Sequence, residues 1–188
     1  MNCLRPESCE TRPFSATPLL DEVKTPIPPC RRLRAFAFDP ILSRQLETYE
    51  VNLVTIEVPW EEDVELGPTD SYLEVVDYDP ASQAFYAPVN LNEPKLLAQD
   101  GLPPSEGNPQ FHQQMVYAVA RRTIECFEKA LGRRALWSSR ITGVYGRYEE
   151  EYVERLRIYP HALREANAYY SSAKKALLFG YFPAMSTE

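Results

Sequence analysis

The side chains able to do chemistry in this chain are few, and their spacing decides what they can do. There are two histidines, His112 and His161. A zinc helix of the His-Glu-x-x-His kind needs two histidines one turn apart, with a glutamate beside the first as general base. His112 is followed by Gln113-Gln114-Met115-Val116, so neither the glutamate nor the second histidine is present. His161 and Glu165 are four apart and would share a helix face. Two ligands fall short of the three or four that zinc takes, and Pro160 argues for a turn there. Of the four cysteines, those at 3, 9 and 30 are too scattered to pair as metal ligands. Cys126 stands mid-helix near the apolar face, and nothing near it in sequence would lower its pKa, so it reads as a packed thiol.

Other catalytic signatures are missing. Gly143-Val144-Tyr145-Gly146 lacks the Lys and Ser/Thr of a phosphate loop and the third glycine of a dinucleotide site. There is no Gly-x-Ser-x-Gly elbow. The acidic runs Glu61-Glu62-Asp63 and Glu149-Glu150-Glu151 read as solvated loops. The basic pairs Arg31-Arg32, Arg121-Arg122 and Arg133-Arg134 are dispersed among acids and make no nucleic-acid stripe. One stretch stands apart. Between Arg157 and Tyr170 the chain places Asn167, the small Ala168 and the aromatics Tyr169 and Tyr170 together on a strand. Such an edge can add a peptide strand, with a side-chain amide to hold the peptide backbone, or it can simply be an edge with aromatic packing.

The elements that would position this strand follow from periodicity. The first thirty residues hold six of the seventeen prolines and no glycine, so residues 1–32 read as an extended or disordered arm. Strands are expected near 33–38, 51–58, 72–78, 84–89, 155–159, 167–170 and 176–182, with type I turn chemistry at Asp79-Pro80-Ala81-Ser82 closing a first hairpin. Residues 90–110 read as a long ordered loop. The one strong helix spans 110–131, with Asn108 as cap, Pro109 just before it and Gly132 as its stop. Val116, Val119, Ala120, Thr123, Phe127 and Leu131, widened by Phe111 and Met115, form its expected core-facing stripe. Arg121–Glu125 and Glu125–Lys129 are expected on its wet side. The fold class is therefore α+β: a mostly antiparallel, twisted sheet in one domain, 33–188, crossed by one long helix.

Composition bounds the rest. The chain has 188 residues, 44% hydrophobic and 25% charged, with a net charge of −7. That is one globular domain's worth, too apolar for wholesale disorder and a poor binder of nucleic acid or anionic membranes. Met1 to Pro6 shows no apolar signal segment, and no apolar run approaches the roughly 20 residues of a membrane span. A cytoplasmic chain with reduced thiols is the expectation.

Asn167-Ala168-Tyr169-Tyr170, followed by Lys175-Ala176-Leu177-Leu178-Phe179-Gly180-Tyr181, resembles the edge strand and following strand of thermolysin-like zinc metallopeptidases, the gluzincins. Phe111 to Tyr117 looks like the long helix crossing their N-terminal sheet domain. The runs from Leu73 to Pro80 and from Leu97 to Leu102 look like an uncharacterised bacterial branch of that family. The resemblance covers about residues 31–183. It implies a thermolysin-like N-terminal fold and assigns substrate binding to Asn167, Ala168 and Tyr169, the Asn167 side chain and the Ala168 backbone holding the peptide main chain. The family's zinc ligands and base lie beyond the second hairpin, and no catalytic or metal role carries over to this chain. The resemblance thus implies a truncated, substrate-cleft portion, inactive alone and holding no cofactor. Its partners would be a peptide substrate, the missing C-terminal half, or a second copy. The alternative expectation is a non-catalytic peptide- or protein-binding module using the same edge strand, 167–170.

Overall fold

The computed structural model describes residues 27–48, 50–144 and 147–183. Most of the proline-rich arm, with Cys3 and Cys9, lies outside the described residues. Order starts earlier than expected, at Cys30: β1 (Cys30–Phe36) pairs antiparallel with β2 (Leu53–Pro59), from Cys30 against Pro59 to Phe36 against Leu53. Arg31, assigned from sequence to the arm, is buried in this ribbon, its guanidinium over the Trp60 ring and on Asn92 Oδ1.

After a short 3-10 turn between those strands come β3 (Leu73–Val75), β4 (Tyr78–Asp79) and β5 (Ala84–Phe85). The expected first hairpin is there in shortened form, Tyr78 opposite Phe85. Its turn is fixed by Asp79, whose carboxylate accepts from the Ala81 N–H and the Ser82 hydroxyl at 2.8 Å each. The segment read as loop contains a short helix, α1 (Pro94–Ala98). Then come α2 (Pro109–Leu131) and a hairpin that sequence reading missed, β6 (Arg140–Val144) with β7 (Arg147–Glu151). Its second strand contains the acidic run expected as solvated loop. Last are β8 (Leu156–Leu163), β9 (Ala168–Ser171) and β10 (Ala176–Gly180).

The class is α+β, but the strands do not form one mostly antiparallel sheet. Among the described residues they fall into three two-stranded ribbons and one four-stranded sheet ordered β3-β8-β10-β9. In that sheet β3 and β10 both run parallel to β8, and only β9 is antiparallel to its neighbour. The reason lies in the second hairpin. After β8 the chain crosses the end of β10 at 164–167, forms the outer strand β9, and returns as β10 between the two. Proline 160, expected in a turn, is inside β8. It is tolerated there because pairing with β3 has ended at Ile158 and the register with β10 shifts between Leu178 and Gly180.

Helix α2 has the expected ends. Asn108 Oδ1 accepts from the Gln110 N–H, and Gly132 closes the last turn at φ +66°. Its buried face is not the expected stripe. Phe111, Gln114, Tyr117, Ala118, Arg121 and Ile124 are buried, whereas Val119 is 46% exposed and Phe127 59%. The helix packs on β1 and β2 and touches β3 and β8, so its core face is turned toward the ribbon. Arg121 belongs to that buried face. The wet-side pairs are Arg122–Glu125 and Glu125–Lys129. Cys126, expected to pack, is exposed. The core gathers Leu33, Val58, Leu73, Val75, Tyr117, Leu156 and Ile158.

Candidate functional site

Strand β9 has a partner on one side only, β10, among the described residues. In an antiparallel pair, hydrogen-bonded and non-hydrogen-bonded positions alternate. The Gly180 N–H donates to the Asn167 carbonyl at 2.8 Å, which makes 167/180 a bonded position. The register then makes Tyr169/Leu178 and Ser171/Ala176 bonded too. Ala168 and Tyr170 occupy the intervening positions, so their N–H and C=O groups point away from β10, to the open edge. Residues 167–170 are exposed. Asn167 lies just before β9; its N–H donates to the Glu165 carbonyl and its amide to the Glu165 carboxylate at 3.3 Å. Tyr169 shares its sheet face with Leu178, away from the face that Ala168 and Tyr170 share with Phe179 and Leu177.

That second face looks onto a groove. Between α2 and the sheet runs a cavity of about 740 Å³, walled by Val116, Val119 and Phe127 from the helix and by Ile158, Leu177 and Phe179 from the strands. The apolar stripe that sequence reading aimed at the core is the helical wall of this groove.

At one end of the groove the two histidines meet. His112 Nδ1 lies 2.9 Å from His161 Nε2, and His161 Nδ1 lies 2.6 Å from Asp77 Oδ1. Gln113 Nε2 donates to Asp77 Oδ2 at 2.8 Å. The rings of Tyr86 and Tyr181 stand edge-on to His161, and both tyrosine hydroxyls donate to Asp79 Oδ2. Burial lowers the pKa of His112, and His161 lowers it further; Asp77 and the backbone at Ser105 and Glu106 oppose the shift. Burial alone would raise Asp79. The Ser82 hydroxyl, the Ala81 N–H and the Tyr181 hydroxyl outweigh it and hold the carboxyl at about 2. The two histidines are separated by 49 positions in the chain, and Asp77 and His161 by 84, so the sequence carries no local signal of the contact.

Behind the groove a buried charge cluster clamps α2. Asp70, its side chain fully buried, accepts from the Tyr72 and Leu73 N–H groups on one oxygen and from the Tyr117 hydroxyl on the other, which also forms an ion pair with the Arg121 guanidinium at 2.9 Å. Arg121 also meets Glu61 at 2.6 Å and stacks over Tyr72. The pairing meets the cost of placing a guanidinium on the buried face.

No group of three or more His, Cys, Asp or Glu side chains among the described residues could hold a metal ion, and both histidines are committed to each other and to Asp77. No helix of the described residues is long and apolar enough to cross a membrane. No family model, curated protein or solved structure matches the chain.

Proposed function

We propose that this chain is the substrate-cleft portion of a thermolysin-like zinc metallopeptidase, with β9 as the strand along which a peptide substrate lies. The observation that carries this reading is the open outer edge of β9, where Ala168 and Tyr170 present backbone donors and acceptors with no β10 partner. A peptide adding antiparallel to that edge satisfies those groups, and small Ala168 leaves room for it. Asn167, at the start of the strand, is assigned to hold the peptide main chain through its side-chain amide, whose exposed bond to Glu165 a ligand can displace. Tyr169 contributes its exposed ring to the same strand. The zinc chemistry belongs to a helical half bearing His-Glu-x-x-His, which these 188 residues do not contain. The groove beside β9 is assigned as the seat of that half.

The test joins this chain to a helical half of that type and measures zinc-dependent peptide cleavage. Asn167→Ala is expected to lower turnover about ten-fold or more, as lost substrate positioning does, with unfolding unchanged. Unchanged turnover contradicts the reading. Peptide binding without cleavage in any such pairing favours the second reading, a non-catalytic peptide-binding module using the same edge.

A further inference from the structure

We propose that Asp77, His161 and His112 form an acid-released latch, which ties the first turn of α2 to β8 at the end of the groove and lets go when both imidazoles carry a proton. The number of hydrogens the three groups share decides when the latch holds. The three groups form a chain of contacts, Asp77 Oδ1 to His161 Nδ1 at 2.6 Å and His161 Nε2 to His112 Nδ1 at 2.9 Å. The gap between the rings has room for one hydrogen, given by one nitrogen and accepted by the other. With both rings neutral, His161 donates to the Asp77 carboxylate and accepts from His112. A first added proton leaves this arrangement intact, because one imidazolium and the Asp77 carboxylate form a buried pair. A second puts N–H against N–H across the ring-to-ring contact and leaves two adjacent cations facing a single carboxylate. That state is compatible only with separation of the rings. The low proton affinity of His112, lowered by burial and by His161, places the second step on the acid side of ordinary histidine.

The groups around the pair fix the sign. From the β3–β4 link comes Asp77, and from β4 comes Asp79, which reaches the pair only through the Tyr86 and Tyr181 hydroxyls. From α2 come His112 itself and uncharged Gln113. From the loop before α2 come the backbone groups of Ser105 and Glu106. Arg164 acts on Tyr181 from the crossing segment. Asp77 is the carboxylate that His161 contacts, and its charge also acts on His112; one carboxylate neutralises one imidazolium and not two. Release frees the start of α2 from β8, where His112, Pro160, His161 and Gly180 line the groove. The inference stands apart from the peptidase reading, since it concerns this chain alone.

Because the chain has only two histidines, histidine-selective NMR resolves the pair without ambiguity. The full chain is titrated from about pH 8 to about pH 4, with amide exchange followed in parallel. The expected result is two coupled steps, the second below the ordinary histidine value, and a loss of protection of about ten-fold or more at His112, Gln113 and residues 161–163 that tracks the second step alone. In His112→Gln, protection of the α2 start is expected to lose its pH dependence. If that variant does not fold, the wild-type titration still decides. Two independent titrations at the ordinary value overturn the proposal, as does protection that follows the first step. Stoichiometric zinc at neutral pH that shifts both rings also overturns it, by making the pair a metal site.

Discussion

Gly180 shows how the absence of a single atom lets two segments approach. The 164–167 crossing passes over the end of β10 there, and a Cβ on residue 180 would meet the Glu165 carbonyl and lie 2.8 Å from the Asn167 carbonyl. Gly180→Ala is therefore expected to cost about 1–3 kcal/mol, the usual penalty of overpacking, and to shift Asn167. Chemical denaturation reads the first effect, and the β9 amide shifts read the second. Asp70 is the opposite case, a residue whose removal leaves partners stranded. Asp70→Ala takes the acceptor from two N–H groups and a hydroxyl and an ion-pair partner from a buried guanidinium, and about 3–5 kcal/mol of stability is expected to go with it. Asp79 carries a pH signature. Its carboxyl is held at about 2 against an ordinary 3.8, so the folded state prefers the ionised form. The stability this provides is complete above the ordinary value and is lost as pH falls from there toward 2. Urea midpoints measured between those values are expected to drop on acidification less in Asp79→Asn than in the wild type.

At the scale of elements, the question is which face of each element does the work. Strand β9 distinguishes two proline substitutions. Ala168→Pro removes an outward N–H and spares the bonds to β10, which an edge strand tolerates. Tyr169→Pro removes an inward one and is expected to cost about 1–3 kcal/mol. Helix α2 makes the same point about legibility. Its ends were readable from Asn108, Pro109 and Gly132 because caps are local chemistry. Its facing was not, because Gln113, Gln114 and Arg121 are buried on partners 12 to 80 residues away, and polar residues on a core face hide its periodicity. The strand at 168–171 was legible from its aromatics. The parallel pairing of β8 with β3 and β10 was not, since alternation specifies a strand and not its neighbour. The histidine pair was invisible for the same reason: it exists only once α2 and β8 are docked.

At the scale of the whole molecule, a net charge of −7 and an open apolar groove of about 740 Å³ pull in opposite directions. Charge favours dispersal; an apolar patch of this kind favours a partner. The chain is expected to self-associate at tens of micromolar in sedimentation. Phe127→Glu, on the exposed helical wall, is expected to disperse it while changing stability by no more than about 0.5 kcal/mol. The central claim, that β9 receives a peptide as an added strand, is tested most directly by amide hydrogen exchange along that strand. The exchange is measured with and without a saturating blocked peptide, acetyl-Ala-Phe-Leu-Ala-Ala-amide. The account predicts that exchange slows at Ala168 and Tyr170, whose N–H groups point outward, and is unchanged at Tyr169 and Ser171, which already face β10. Equal slowing at all four positions, or none at Ala168 and Tyr170 with the peptide bound elsewhere, would contradict it.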